Sequence, residues 1–128
     1  MIFCDMDGVL VHMLGPEGFD KFPWMPGGRD LWEFLKPSRP LILTQVKDER
    51  YGTTCMEKLT WVKRELGEGV GVIFAPRSVG KGVYARAGDI LVDDSASHCR
   101  VWEAAGGTPL RHLSADMTIR ALVLLGHK

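Results

Sequence analysis

Asp5 and Asp7 close an apolar run, Met1-Ile2-Phe3-Cys4, and Gly8 follows at once. Thr44 closes a second run, Leu41-Ile42-Leu43, and Asp93 and Asp94 close another, Ile90-Leu91-Val92. Arg77 through Lys81 follows a fourth, Val70 to Phe74, which Pro76 ends. Carboxylates, a hydroxyl and a lysine form a specific chemical set: cation ligands, a nucleophile, a proton donor and partners for an oxyanion. Two carboxylates ~5 Å apart repel by roughly 3 kcal/mol at an effective dielectric of about 20. Several such pairs would consume much of the ~5–15 kcal/mol that holds a domain folded. If these residues meet, either some aspartates are protonated or a cation and Lys81 offset them. An oxygen-only ligand set favours Mg²⁺, which keeps positions for water and a substrate phosphate.

For the groups to meet, the apolar runs must be neighbouring strands. None shows polar alternation, as expected of strands buried on both faces, and amphipathic stretches separate them. Leu31, Phe34 and Leu35 keep helical spacing until Pro37. Thr54-Cys55-Met56-Glu57 fits a capping box, predicting a helix with Met56, Leu59, Val62 and Leu66 on its inner face and a stop at Gly67. A short helix is expected near Lys81. Ser95 or Ser97 caps a helix that turns Val101, Trp102 and Ala105 inward and ends at Gly106-Gly107. Thr108-Pro109-Leu110 predicts a fifth strand, placed at an edge by Pro109, and Ser114 caps a last helix bearing Ile119, Leu122 and Val123. Trp32 and Trp102 lie on apolar helix faces and read as core. The pattern is that of βαβ units around a parallel sheet: a single three-layer, Rossmann-like α/β domain over residues 1–128. Ligands of such sheets bind outside the carboxyl ends of the strands, which puts the chemical groups on one rim.

Residues 14–28 are rich in Gly and Pro and read as a loop; with its flank, segment 12–28 could serve as a minimal flap. Its aromatics Phe19, Phe22 and Trp24 could stack on a substrate ring or fold back on the domain, and the sequence leaves both readings open.

The 128 residues are 45% hydrophobic and 25% charged, an ordinary globular balance with room for one core. Sixteen Lys and Arg offset sixteen Asp and Glu, which argues against extended binding to nucleic acid or an anionic membrane. The longest apolar run near the C-terminus, Ala121 to Leu125, falls far short of the ~20 residues of a membrane span. The N-terminal run lacks a basic flank and is interrupted by Asp5, unlike a secretory signal. Cys4, Cys55 and Cys99 are odd in number and scattered, as in a reduced cytoplasmic protein. His12, His98, His112 and His127 lack metal-ligand spacing. Val9 excludes an EF-hand loop at Asp5, and Ala75 and Gly82 stand where a P-loop around Lys81 would need Gly and Ser or Thr.

Asp5-Met6-Asp7-Gly8-Val9-Leu10 resembles the first motif of the haloacid dehalogenase (HAD) superfamily, in the form its phosphatases use. Leu41 to Thr44 is similar to the second motif, Lys81 to the third, and Ile90 to Asp94 to the fourth, in the family's order. The stretch Gly88–Gly107, with His112, Ser114 and Thr118, resembles the 5′(3′)-deoxyribonucleotidase branch more weakly. The resemblance implies that Asp5 attacks phosphorus, giving an aspartyl-phosphate, while Asp7 acts as acid and then base. Thr44 and Lys81 would bind the phosphoryl oxygens, Gly8 would let the backbone approach them, and Arg77 is a further candidate substrate contact. Mg²⁺ would be held by Asp5, the main-chain carbonyl of Asp7, and Asp93, with Asp94 ligating directly or through water.

Most small-molecule phosphatases of that family carry a cap domain. The intervals from Asp7 to Thr44 and from Thr44 to Lys81 have no room for one beside the helix and strand each must hold. Capless relatives accept large substrates or borrow a lid by forming homo-oligomers, and either arrangement is open to this chain. The expected activity is Mg²⁺-dependent hydrolysis of a nucleotide or other small phosphate ester. The alternatives are a phosphatase for a protein or nucleic-acid end, and a non-catalytic binding module.

Overall fold

Branched and aromatic runs become strands here because both faces of each can be buried. The computed structural model describes residues 1–12 and 22–127. Its strands are β1 (Ile2–Cys4), β2 (Leu41–Val46), β3 (Val72–Pro76), β4 (Ile90–Asp93) and β5 (Thr108–Arg111). All pair in parallel, in the order β3-β2-β1-β4-β5. The helices are α1 (Gly28–Leu35), α2 (Tyr51–Glu65), α3 (Ala96–Ala104) and α4 (Ala115–Leu124), with 3-10 turns at Lys36–Ser38, Asp48–Arg50 and Gly82–Tyr84. The expected α/β architecture with a parallel sheet is the one observed.

The order of the strands creates the site. From β1 the chain steps outward to β2 and β3, then crosses back to lay β4 on the other side of β1. Right-handed crossovers therefore place α1 and α2 on one face and α3 on the other. Strand order reverses between β1 and β4, and their carboxyl ends leave a crevice there. In that crevice Asp5 N–H donates to Val92 O at 2.9 Å, so Asp5 stands beside the end of β4.

Two apolar clusters fill the layers. Ile2, Cys4, Ile42, Ile90 and Val92 point to the α1, α2 and α4 side, meeting Leu31, Trp32, Leu35, Trp61, Val62 and Leu122. Phe3, Leu43, Ala75 and Leu91 point the other way, onto Trp102 of α3. Trp102 meets Phe3 edge-on at 5.2 Å between centroids and donates from Nε1 to Asp89 O. Trp32 and Trp102 are core, as the periodicity predicts.

The boundaries depart from expectation in ways that matter. Acidic Asp48 and Glu49 sit in the 3-10 turn that leads into α2, a favourable place at a helix N-terminus. The helix thus begins at Tyr51, Thr54 is not its cap, and its inner line runs through Lys58, Trp61, Val62 and Leu66, leaving Met56 exposed. In α3 only Trp102 of the three expected inward residues is buried; Val101 and Ala105 are exposed. In α4 Leu122 is buried, Ile119 partly so, and Val123 exposed. Ser95 and Ser114 do cap α3 and α4, accepting from His98 N–H and Met117 N–H. β2 continues two residues past Thr44, and β3 starts at Val72 rather than Val70.

Phe22 and Trp24 fold back on the domain. Trp61 donates from Nε1 to Phe22 O at 3.0 Å, and Trp24 packs against Trp61 with ring centroids 5.0 Å apart and planes tilted by 57°, and donates to Glu65. Phe19 and most of the proposed flap 12–28 lie outside the described residues.

Candidate active site

A short strand followed by a tight turn places the two N-terminal carboxylates. Met6 O accepts from Val9, Leu10 and Val11 N–H, coiling the chain back immediately after Asp5. Gly8 permits this turn with φ of 80°, in the left-handed region that favours glycine. A Cβ there would collide with Asp94 Oδ2, so Gly8 also leaves the space that the Asp94 carboxylate occupies.

Lys81, just before the Gly82–Tyr84 turn, is 1% exposed. Its Nζ donates to Asp5 Oδ1 at 2.9 Å and to Asp93 Oδ2 at 2.7 Å. Asp93 Oδ1 accepts from Ser95 N–H at 2.9 Å, and His98 Nδ1 lies 3.1 Å from Asp93 Oδ2. One ammonium shared by two buried carboxylates cannot satisfy both equally. Burial opposes ionisation of Asp93, but His98, Lys81 and the Ser95 N–H hold its carboxyl below the usual range. Burial pushes the Asp5 carboxyl upward by more than Lys81 holds it down, and Asp93 and Asp7 add to that push. Desolvation, with the charge of Asp93, raises Asp94. Burial opposes the charge on Lys81, yet Asp5 and Asp93 outweigh it and raise its pKa.

One oxygen each from Asp5, Asp93 and Asp94 lies within 4.8 Å of the others. A divalent ion fits this donor set: hard oxygens only, an excess of negative charge, and a glycine that keeps the third carboxylate's space open. The Asp7 carboxylate is not in this group. It turns instead to Lys58, a residue the sequence reading passed over. Lys58 Nζ donates to Asp7 Oδ2 at 3.0 Å, to Thr44 Oγ1 at 2.6 Å and to Gln45 O at 2.9 Å. Lys58 shares a helical line with Trp61, Val62 and Leu66, which is its signal in the sequence; the stripe through Met56 and Leu59 lies off that line.

The structure thus brings Asp5, Asp7, Thr44, Lys81, Asp93 and Asp94 to one rim around Gly8. Arg77 stands apart. It is exposed on the loop after β3, two strands from β1, where Ser78 N–H donates to Asp48 Oδ1 at 3.2 Å. A carboxylate backed by an ammonium, a second carboxylate, a buried hydroxyl and a three-oxygen cluster can bind and attack an anionic electrophile.

No protein-family model matches the sequence, and no curated protein matches it. Solved structures with this fold include D,D-heptose 1,7-bisphosphate phosphatase from B. bronchiseptica, complexed with magnesium and phosphate, at a TM-score of 0.60 and 18% identity; the match covers 84% of this chain and 77% of that one. D,D-heptose 1,7-bisphosphate phosphatase from Burkholderia thailandensis is similar at a TM-score of 0.60 and 12% identity, covering 95% and 97%. At such identities the likeness is one of fold. Among the described residues, no inserted cap domain interrupts the sheet and its helices. Over most of its length the chain shares the α/β fold of these two solved phosphatase structures.

Proposed function

We propose that this protein is a Mg²⁺-dependent phosphomonoesterase that acts on small phosphate esters through an aspartyl-phosphate. The reading rests on one observation above all: Lys81 bridges Asp5 and Asp93 at the strand-order reversal, with Asp94 completing a three-oxygen cluster. Asp5 is the nucleophile, and its carboxylate forms the bond to phosphorus as the ester oxygen departs. Asp7 gives a proton to that oxygen and later takes one from the attacking water. Thr44 donates its hydroxyl hydrogen to a phosphoryl oxygen, and Lys81 offsets charge on the phosphoryl group and on Asp5. Oxygens of Asp5, Asp93 and Asp94, with the main-chain carbonyl of Asp7, would hold Mg²⁺, which when bound neutralises phosphoryl charge.

The solved structures of like fold are named for a sugar bisphosphate, and the weaker sequence resemblance is to nucleotidases; both are small phosphate esters. No helix among the described residues is long and apolar enough to cross a membrane. The three free cysteines fit a protein of the reducing cytoplasm.

A phosphate-release screen tests the proposal, using nucleotides, sugar phosphates, phosphopeptides and end-phosphorylated oligonucleotides, each with and without Mg²⁺. Release from small esters that requires Mg²⁺ and is abolished in a folded Asp5→Asn variant supports it. Release confined to phosphopeptides or oligonucleotides would assign a macromolecular substrate, and silence on every substrate would leave a binding module. Mg²⁺ should also raise the melting temperature, by ligand linkage.

A further inference from the structure

Lys58 lies in the middle of α2, with only 1% of its surface exposed. Burying an ammonium is costly, and packing between Trp61 and the sheet would be served as well by an apolar side chain of similar length. What the ammonium touches is specific. It reaches across from α2 to the turn after β1 and to β2, where it holds Asp7 Oδ2 and Thr44 Oγ1 at once. The other oxygen of Asp7, Oδ1, is buried and has no hydrogen-bond partner among the described residues. A carboxylate clamped through one oxygen presents the other in a fixed direction. Thr44 is constrained in the same way. Its oxygen accepts from Lys58, so its single hydrogen must be donated elsewhere.

We propose that Lys58 is a positioning residue of the phosphatase reaction, clamping Asp7 Oδ2 and Thr44 Oγ1 so that Asp7 Oδ1 carries the exchanged proton and the Thr44 hydrogen points at the phosphoryl group. The proposal rests on the phosphatase reading above and adds to it a residue outside the four motifs. In the first step the proton on Oδ1 passes to the ester oxygen as its bond to phosphorus breaks and the bond from Asp5 forms. In the second, Oδ1 takes a proton from the water whose oxygen bonds to phosphorus as the aspartyl-phosphate bond breaks. Atoms and charge balance with no other reactant.

An alkoxide leaving group needs that proton, whereas p-nitrophenolate departs readily without it. The test is Lys58→Met, read as kcat/KM for an alkyl phosphate and for p-nitrophenyl phosphate under saturating Mg²⁺. The parameter covers the steps up to departure of the leaving group. The alkyl ester should lose about 10²-fold or more, the scale of a disabled general acid. The aryl ester should lose less than about tenfold, through Thr44 alone. An equal loss for both esters in a variant that still melts cooperatively and still gains stability from Mg²⁺ overturns the clamp, as does no loss at all. Should Lys58→Met fail to fold, Lys58→Arg is read the same way. Its guanidinium keeps the charge but not the geometry, so the alkyl-to-aryl ratio should fall part of the way; an unchanged ratio overturns the proposal. If Asp5→Asn abolishes hydrolysis while the Lys58 variants keep the wild-type ratio, only the clamp falls. If the wild type hydrolyses neither ester, the phosphatase reading falls and takes the clamp with it.

Discussion

Two buried lysines divide the site into halves that differ in charge. On the β1–β4 side, Lys81 stands against Asp5 and Asp93, with Asp94 beside them, so one cation faces three carboxyl groups. On the β1–β2 side, Lys58 holds the Asp7 carboxylate together with a hydroxyl and a carbonyl. The first half gathers three carboxyl groups about one ammonium, and burial, with the neighbouring carboxylates adding to it, raises those of Asp5 and Asp94. A divalent ion would balance their charge. The second half pairs its ammonium with the Asp7 carboxylate, and hydrogen-bond direction is what it controls. Similar side chains at similar depth therefore serve different ends: one half gathers charge, the other aims donors.

The sharpest way to break this division is to disable each half and vary the leaving group. Asp7→Asn should lower turnover of alkyl esters by about 10²–10⁴-fold, with a much smaller effect on activated aryl esters. Steady-state rates across a leaving-group series check it, and a uniform loss would erase the distinction. Lys81→Met should lower turnover by about 10²–10³-fold for every ester alike, because it removes charge stabilisation rather than a proton. It should also cost about 3–5 kcal/mol in denaturant unfolding, since two buried carboxylates lose their shared cation. Gly8→Ala sharpens the comparison from the metal side. Its Cβ would collide with Asp94 Oδ2 at a left-handed φ, so Mg²⁺ affinity by calorimetry should fall while the Asp7–Lys58 pair keeps its leaving-group selectivity.

The smallest effect lies behind both halves. His112 is buried against Thr118, with Nδ1 at 2.7 Å from the hydroxyl, and burial holds its pKa below the ordinary 6.5. A depressed histidine contributes stability that is complete above about pH 6.5 and is lost as pH falls from there toward its lowered folded value. His112→Gln should flatten that part of the stability profile, measured by urea unfolding between pH 5 and pH 8, about the range over which histidine titrates. An unchanged slope would mean that the imidazole is not desolvated as described.

Much of one half was legible in the sequence and little of the other. Asp5, Asp93 and Asp94 follow apolar strands directly, and strand ends are the part of an α/β chain that hydrophobic runs mark best. Lys81 comes shortly after a strand, so it shares that signal. Lys58 lies inside a helix, and its inward direction depends on helical phase. The Thr54–Glu57 pattern suggests a start four residues late, because the acidic turn at Asp48–Arg50 competes for the role of helix entry. A start at Thr54 points Met56 inward and leaves Lys58 on no particular face. Arg77 also follows a strand, the edge strand β3, and is exposed there.

The tilted tryptophan pair at α2 gives the molecule a built-in optical gauge. Trp61 lies one helical turn beyond Lys58, touches Trp24 and holds the Phe22 carbonyl. Any shift of the helix when Asp7 or Thr44 engages an anion would alter the overlap of the two indoles. Intrinsic emission can then follow occupancy in real time, without a label and without turnover.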